Sequence, residues 1–186
     1  KEVNAGPLPE QFTFQRISDV FPAGNTMIGK KVLLKSGLFD LAYDHGQRAD
    51  GDLGMRIYLS GEKMILHPEI SILHHHAPQG GLRTHKARVN THAASRKKIN
   101  LRVLPSVSDL YLSHRYFTDR QVREMLWITV LGTFSLHGAS WRKVLKAVLS
   151  FFALPQSLWR IYTCNREAEK MLLTFPQIPS LEDQDG

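Results

Sequence analysis

The sequence predicts an α/β segment over residues 1–105, a helical region over 106–176 and a loose tail over 177–186. Three observations lead there. Ile- and Leu-rich runs within 63–73 follow a stretch whose apolar residues recur at helical spacing, which is a helix-then-strand order. From Ser108 onward the apolar residues keep helical spacing through several capped segments. Gln177 to Gly186 is acidic and contains proline, so it has little to bury.

The elements follow in order. Pro7 and Pro9 mark an irregular start over 1–22. Gly24-Asn25 suggests a turn into a short strand over 26–29, and 32–36 suggests a short helix stopped by Gly37. The polar stretch 41–49 reads as a loop. Residues 50–60 read as a helix: Leu53 and Ile57 share a face, Asp50 and Asp52 lie in the first turn, and Gly61 closes it. Strands are expected over 63–66 and 69–73, interrupted at Pro68, and a basic helix over 83–100.

In the second part, Thr118 with Gln121 three residues on has the form of a capping box and opens a helix to about residue 136. Ser140 caps a helix in which Trp141, Val144, Leu145, Val148, Leu149 and Phe152 form one stripe opposite Arg142, Lys143 and Lys146. Two fates are open to that stripe, packing on the domain or resting on a membrane surface, and packing is the expected one. Pro155 breaks the pattern before a further helix over 156–173.

Charge is unevenly spread. Between Glu69 and Asp109 there is no acid, and the interval carries Arg83, Lys86, Arg88, Arg96, Lys97, Lys98 and Arg102. Without those seven the 24 basic residues fall to 17, equal to the 17 acids, so the whole net charge of +7 resides there. That argues for a local anionic partner. The single cysteine, Cys164, excludes an internal disulfide, and with no histidine close in sequence it is a poor candidate for a catalytic thiol. The longest apolar stretch, 125–136, is about half of the roughly 20 residues that a membrane-spanning helix needs. The chain opens at Lys1 with no start-like segment, and the expectation is that it is either a fragment of a longer protein or one part of a split enzyme.

Three groups of residues could carry chemistry. Asp50 and Asp52 stand two apart at a helix start, where free N–H groups and the helix dipole favour carboxylates. One reading makes one of them the N-cap; another makes one the cap and the other a general base. Spacing alone does not choose. His74, His75 and His76 follow a strand, whose alternation sends His74 and His76 to one face; imidazole is a common metal ligand, but three in a row cannot easily share one ion. Gln79-Gly80-Gly81-Leu82-Arg83-Thr84-His85-Lys86 joins glycines to cations, which suits a diphosphate as well as it suits a solvated basic loop.

In combination these pieces resemble a known family. Gly24-Asn25, Lys30-Lys31, Gly37-Leu38-Phe39-Asp40, Asp50-Gly51-Asp52-Leu53-Gly54-Met55-Arg56, Gly61, Pro68 and His74 are similar to the C-terminal half of a family 2 glycosyltransferase catalytic domain. The resemblance covers residues 24–76. It implies a GT-A fold and inverting transfer from a nucleotide-diphosphosugar donor to a carbohydrate or lipid-linked acceptor, with Mg²⁺ or Mn²⁺. It further implies Asp50 as the base that deprotonates the acceptor hydroxyl and Asp52, Arg56 and Asp40 as support of the motif. His74 would complete the metal shell, and Arg83 and Lys86 would bind the diphosphate. Ala49 stands where the family usually has glutamate, and Leu38 and Leu41 replace its usual glycine and glutamate. The family's first half supplies the nucleotide pocket and an Asp-x-Asp metal motif, and no Asp-x-Asp precedes Gly24. The 186 residues alone are therefore expected to be inactive.

The resemblance implies surface polysaccharide or glycan synthesis; a cytoplasmic protein is expected, with peripheral contact at the inner face of the membrane as the alternative that the Trp and Phe stripe leaves open. The rival reading is a basic module that binds phosphate or nucleic acid through 83–102 without catalysis. Aromatic interleaving is absent from that stretch, so nucleic acid is not an expected partner. A small metal-dependent hydrolase built on the aspartates and histidines ranks lower, since no two-histidine helix motif is present.

Overall fold

Residues 10, 13–18, 21–44, 47–70, 103–132, 134, 141–174 and 178 are described by the computed structural model. They fall into two units: Lys1–Asp44 with Arg48–Gly80 and Gln177–Gly186, and His45–Gln47 with Gly81–Pro176. Among the described residues helices dominate and the only sheet has two strands. The predicted helix over 83–100 and most of the tail lie outside the described residues.

In the first unit, β1 (Arg16–Ile17) pairs antiparallel with β2 (Ile65–Leu66), Arg16 opposite Leu66 and Ile17 opposite Ile65. Ser18 extends the pairing, its N–H donating to the Met64 carbonyl at 2.9 Å. β1 lies where the sequence suggested only an irregular start. The expected strand over 26–29 is not one. A 3-10 turn at Ala23–Asn25 precedes it, and the Thr26 hydroxyl donates to the Pro22 carbonyl at 2.7 Å. The chain then passes directly into α1 (Lys30–Ser36). Residues 69–70 are not strand either; Ile70 N–H donates back to the His67 carbonyl, which makes a turn after Pro68. The stretch read as loop holds a 3-10 turn, Leu41–Tyr43, capped by Asp40.

α2 (Ala49–Leu59) supplies the core with Leu53 and Ile57, which pack with Phe21 and partly buried Ile28, Val32 and Met64. The helical spacing of Leu53 and Ile57 puts them on one face, and that face is buried. Gly37 and Gly61 end the two helices with φ of 77° and 85°, a region where a Cβ is strained. Gly54 has a different reason. A Cβ there would stand 2.7 Å from Phe21 Cβ, so the glycine lets the Phe21 segment approach α2 closely. In an open helix Gly→Ala stabilises by up to about 1 kcal/mol. Here Gly54→Ala is expected to destabilise by about 1–3 kcal/mol, because Phe21 Cβ moves only with its backbone. A fall in the denaturant midpoint checks this; an unchanged or raised midpoint contradicts it.

In the second unit, α3 (Val107–Tyr116) opens with a capping box: Asp109 N–H donates to Ser106 Oγ at 3.2 Å, and Ser106 N–H to Asp109 Oδ2 at 2.9 Å. This helix is an addition to the elements expected from the sequence. α4 (Asp119–Gly132) starts at the predicted place, with Thr118 N–H donating to Gln121 Oε1 and Gln121 N–H to Thr118 Oγ1. α5 (Trp141–Phe152) is followed at once by α6 (Leu154–Thr174), in whose first turn Pro155 needs no N–H partner. α3 and α6 pack together along Leu110, Tyr111 and Ala168, and His114 Nε2 hydrogen-bonds Asn165 Oδ1 at 2.7 Å. Leu104, Val130 and Ile161 form the other buried cluster. Among the described residues no helix is long and apolar enough to cross a membrane.

Candidate functional site

Arg56, Lys35 and the turn at 36–38 meet at the C-terminal ends of α1 and α2. From α2, Arg56 reaches back along its own helix to Asp52, Nε to Oδ2 at 2.9 Å. Its other two nitrogens leave the helix. Nη2 donates to the Leu38 carbonyl at 2.7 Å and Nη1 to the Ser36 carbonyl. The planar fork of guanidinium makes three such bonds in one plane, which an ammonium cannot do. From α1, Lys35 Nζ donates to the Ser60 carbonyl, just past the end of α2, and pairs with Glu62 at 3.2 Å. Each helix thus sends a cation to the free carbonyls at the end of the other, where the dipoles are negative.

Burial separates the two aspartates. Asp52 is 0% exposed and Arg56 10%, so this is an interior ion pair that holds the 36–38 turn against α2. Asp40 is also buried; its carboxylate accepts from Ala42 N–H at 2.8 Å and fixes the 3-10 turn that follows. Asp50 is exposed in the first turn of α2. Neither aspartate is the N-cap. Arg48 occupies that position with φ 83°, and no side chain caps the helix. Among the described residues Arg48 is the one non-glycine at positive φ, a conformation that costs of order 1–3 kcal/mol and is concentrated at functional turns. A strained turn therefore stands two residues before the exposed carboxylate.

An open cavity of about 480 Å³ lies in the same unit. Phe21, Val32, Ile57 and Met64 supply apolar walls, and Asn25 and His67 add polar groups. No local pattern in the sequence announces it, because its lining joins residues from 18–32, Ile57 and 62–70. Asp50, Asp52 and Arg56 do not line it. His74, Arg83 and Lys86, the metal and diphosphate candidates, lie outside the described residues. Among the described residues no group of three or more His, Cys, Asp or Glu side chains is placed to hold a metal ion. Asp50, Asp52 and Asp40 thus do not form a ligand set by themselves.

Cys164 sits half-buried on α6. Burial pushes its thiol above the ordinary value; Arg160 opposes the shift and Glu167 adds to it. A raised pKa means less thiolate at neutral pH in the folded chain than in the unfolded one. Iodoacetamide should therefore modify Cys164 more slowly in the native protein, with a pH midpoint above that of the denatured chain. A lower native midpoint would reverse the assignment.

What the arrangement offers is an exposed carboxylate on a helix that the buried Asp52–Arg56 pair ties to the 36–38 turn. Comparison with known protein families, curated proteins and solved structures finds no match.

Proposed function

We propose that the first unit is the C-terminal half of a family 2 glycosyltransferase domain of GT-A-like fold. The observation that carries the reading is the contrast within one motif. Asp52 and Arg56 are spent on holding the turn at 36–38, whereas Asp50, in the first turn of the same helix, is free to meet a substrate. A general base must be rigidly placed yet accessible, and this helix start satisfies both needs.

In the proposed reaction Asp50 takes the proton of an acceptor hydroxyl as its oxygen attacks the sugar anomeric carbon. The new C–O bond forms as the bond to the diphosphate breaks on the opposite face, which inverts the centre. Arg83 and Lys86 offset the charge that accumulates on the departing diphosphate. The reading assigns Mg²⁺ or Mn²⁺ to the family's Asp-x-Asp motif together with His74, where it would stabilise the same leaving group. The donor is a nucleotide-diphosphosugar and the acceptor a carbohydrate or lipid-linked hydroxyl on the cytoplasmic side.

Nucleoside diphosphate release tests this. The longer protein that carries both halves, given divalent metal, acceptor and a panel of nucleotide-diphosphosugars, should release nucleoside diphosphate from one donor. Release from none of them, with or without metal, would count against the transferase.

A further inference from the structure

α5 faces the opposite way from an ordinary amphipathic helix. At 100° per residue, Trp141, Val144, Leu145, Val148, Leu149 and Phe152 share one side, with Phe151 at its edge. A helix on a water-facing surface buries such a stripe. Here all seven residues are exposed, Trp141 by 71%, Phe151 by 66% and Phe152 by 76%. The line turned inward is polar and small: Lys146 and Ala147 are half-buried, and Ser150 is 2% exposed. The stripe expected to pack on its domain is thus open to whatever surrounds it.

Charge says what that is. No acid occurs between Glu124 and Glu167, whereas Arg142, Lys143, Lys146, Arg160 and Arg166 all do. On α5 itself Lys143 and Lys146 lie on the side away from the stripe and have partners of their own, and Arg142, exposed at its edge, is the cation that borders it. The α5 of a second copy would offer no acid to pair with Arg142, which disfavours a second copy of the chain as the occupant. An anionic bilayer surface complements both properties at once. The start of α6 adds the residue types that favour the headgroup level: Trp159 and Tyr162 are exposed, their ring centroids 5.8 Å apart. With 12 residues α5 is too short to cross a bilayer and long enough to lie along one.

We propose that α5, with the first turns of α6, is a docking face for an anionic lipid surface. α5 lies in the plane of the headgroups, its Trp and Phe side chains enter the acyl boundary, and Arg142 reaches lipid phosphates from its edge. The proposal stands independently of the transferase reading.

Co-sedimentation of the whole chain with vesicles tests it. Vesicles of mixed phosphatidylcholine and phosphatidylglycerol should pellet the protein, pure phosphatidylcholine should do so far less, and added salt should weaken the binding. The double variant Phe151→Asp/Phe152→Asp should lower the partition constant about tenfold or more. Both residues are exposed, so its circular dichroism and Tm should stay as in the parent. As a measurement that needs no variant, Trp emission of the parent should shift to the blue on vesicle addition and be quenched by brominated lipid. No binding to the anionic vesicles, or equal binding by the double variant, overturns the proposal. So does a dimer in sedimentation velocity that the double variant dissociates while neither form binds vesicles.

Discussion

Arg56→Ala is expected to destabilise the first unit by about 3–5 kcal/mol, a large share of the roughly 5–15 kcal/mol that holds a domain together. Removing the guanidinium takes the counter-charge from a carboxylate that is 0% exposed. It also takes the donors from the Leu38 and Ser36 carbonyls, part-buried acceptors that end α1. Arg56→Lys should fall between the two, because one ammonium can serve Asp52 or the carbonyls but lacks the fork that serves both. Denaturant titration reads the change. In a double-mutant cycle, Arg56→Ala and Asp52→Asn should be strongly non-additive, since each removes the same pair. Additive costs, or an Arg56→Ala midpoint equal to the parent's, would mean the pair contributes nothing net.

Asp50→Asn is expected to have the opposite profile. In the longer protein, transfer should fall by about 10²–10⁴-fold, the usual contribution of a general base, with nucleotide binding and Tm unchanged. The amide keeps the size of the side chain but cannot take a proton. Exposure is what makes the comparison clean: Asp50 lies outside the core, so its substitution leaves the packing of Leu53 and Ile57 alone. Asp52→Asn should instead lose stability first and activity only as a consequence. Two aspartates separated by one glycine would then give a kinetic defect and a folding defect. Retained turnover in Asp50→Asn would remove it from the role of base.

That contrast marks the limit of reading the sequence. The helix around the aspartates was legible, since Leu53 and Ile57 have helical spacing and Gly61 ends it; the observed helix is Ala49–Leu59. The Thr118 cap and the stops at Gly37 and Gly61 were legible for the same reason, each being a local rule with a fixed offset. Ser106-x-x-Asp109 follows that same rule and was passed over, although the signal stood in the sequence. Which aspartate is buried was not legible, because it depends on the carbonyls of residues 36 and 38, far along the chain, meeting the Arg56 fork. The N-cap was misread because Arg48 holds a left-handed conformation that an arginine seldom takes. Strand 26–29 failed because strand formation needs a partner, and the only described sheet pairs β1 with β2. The α5 stripe was seen, but hydrophobic periodicity gives a direction to a helix without saying what lies on that side.

Whether residues 24–76 are the second half of a transferase domain is decided by the coding DNA immediately upstream of Lys1. The expected result is an in-frame continuation that encodes alternating strands and helices and an Asp-x-Asp motif, the half that would bind the nucleotide. A stop codon close upstream would contradict it, leaving Asp50 with an acceptor to deprotonate and no donor beside it.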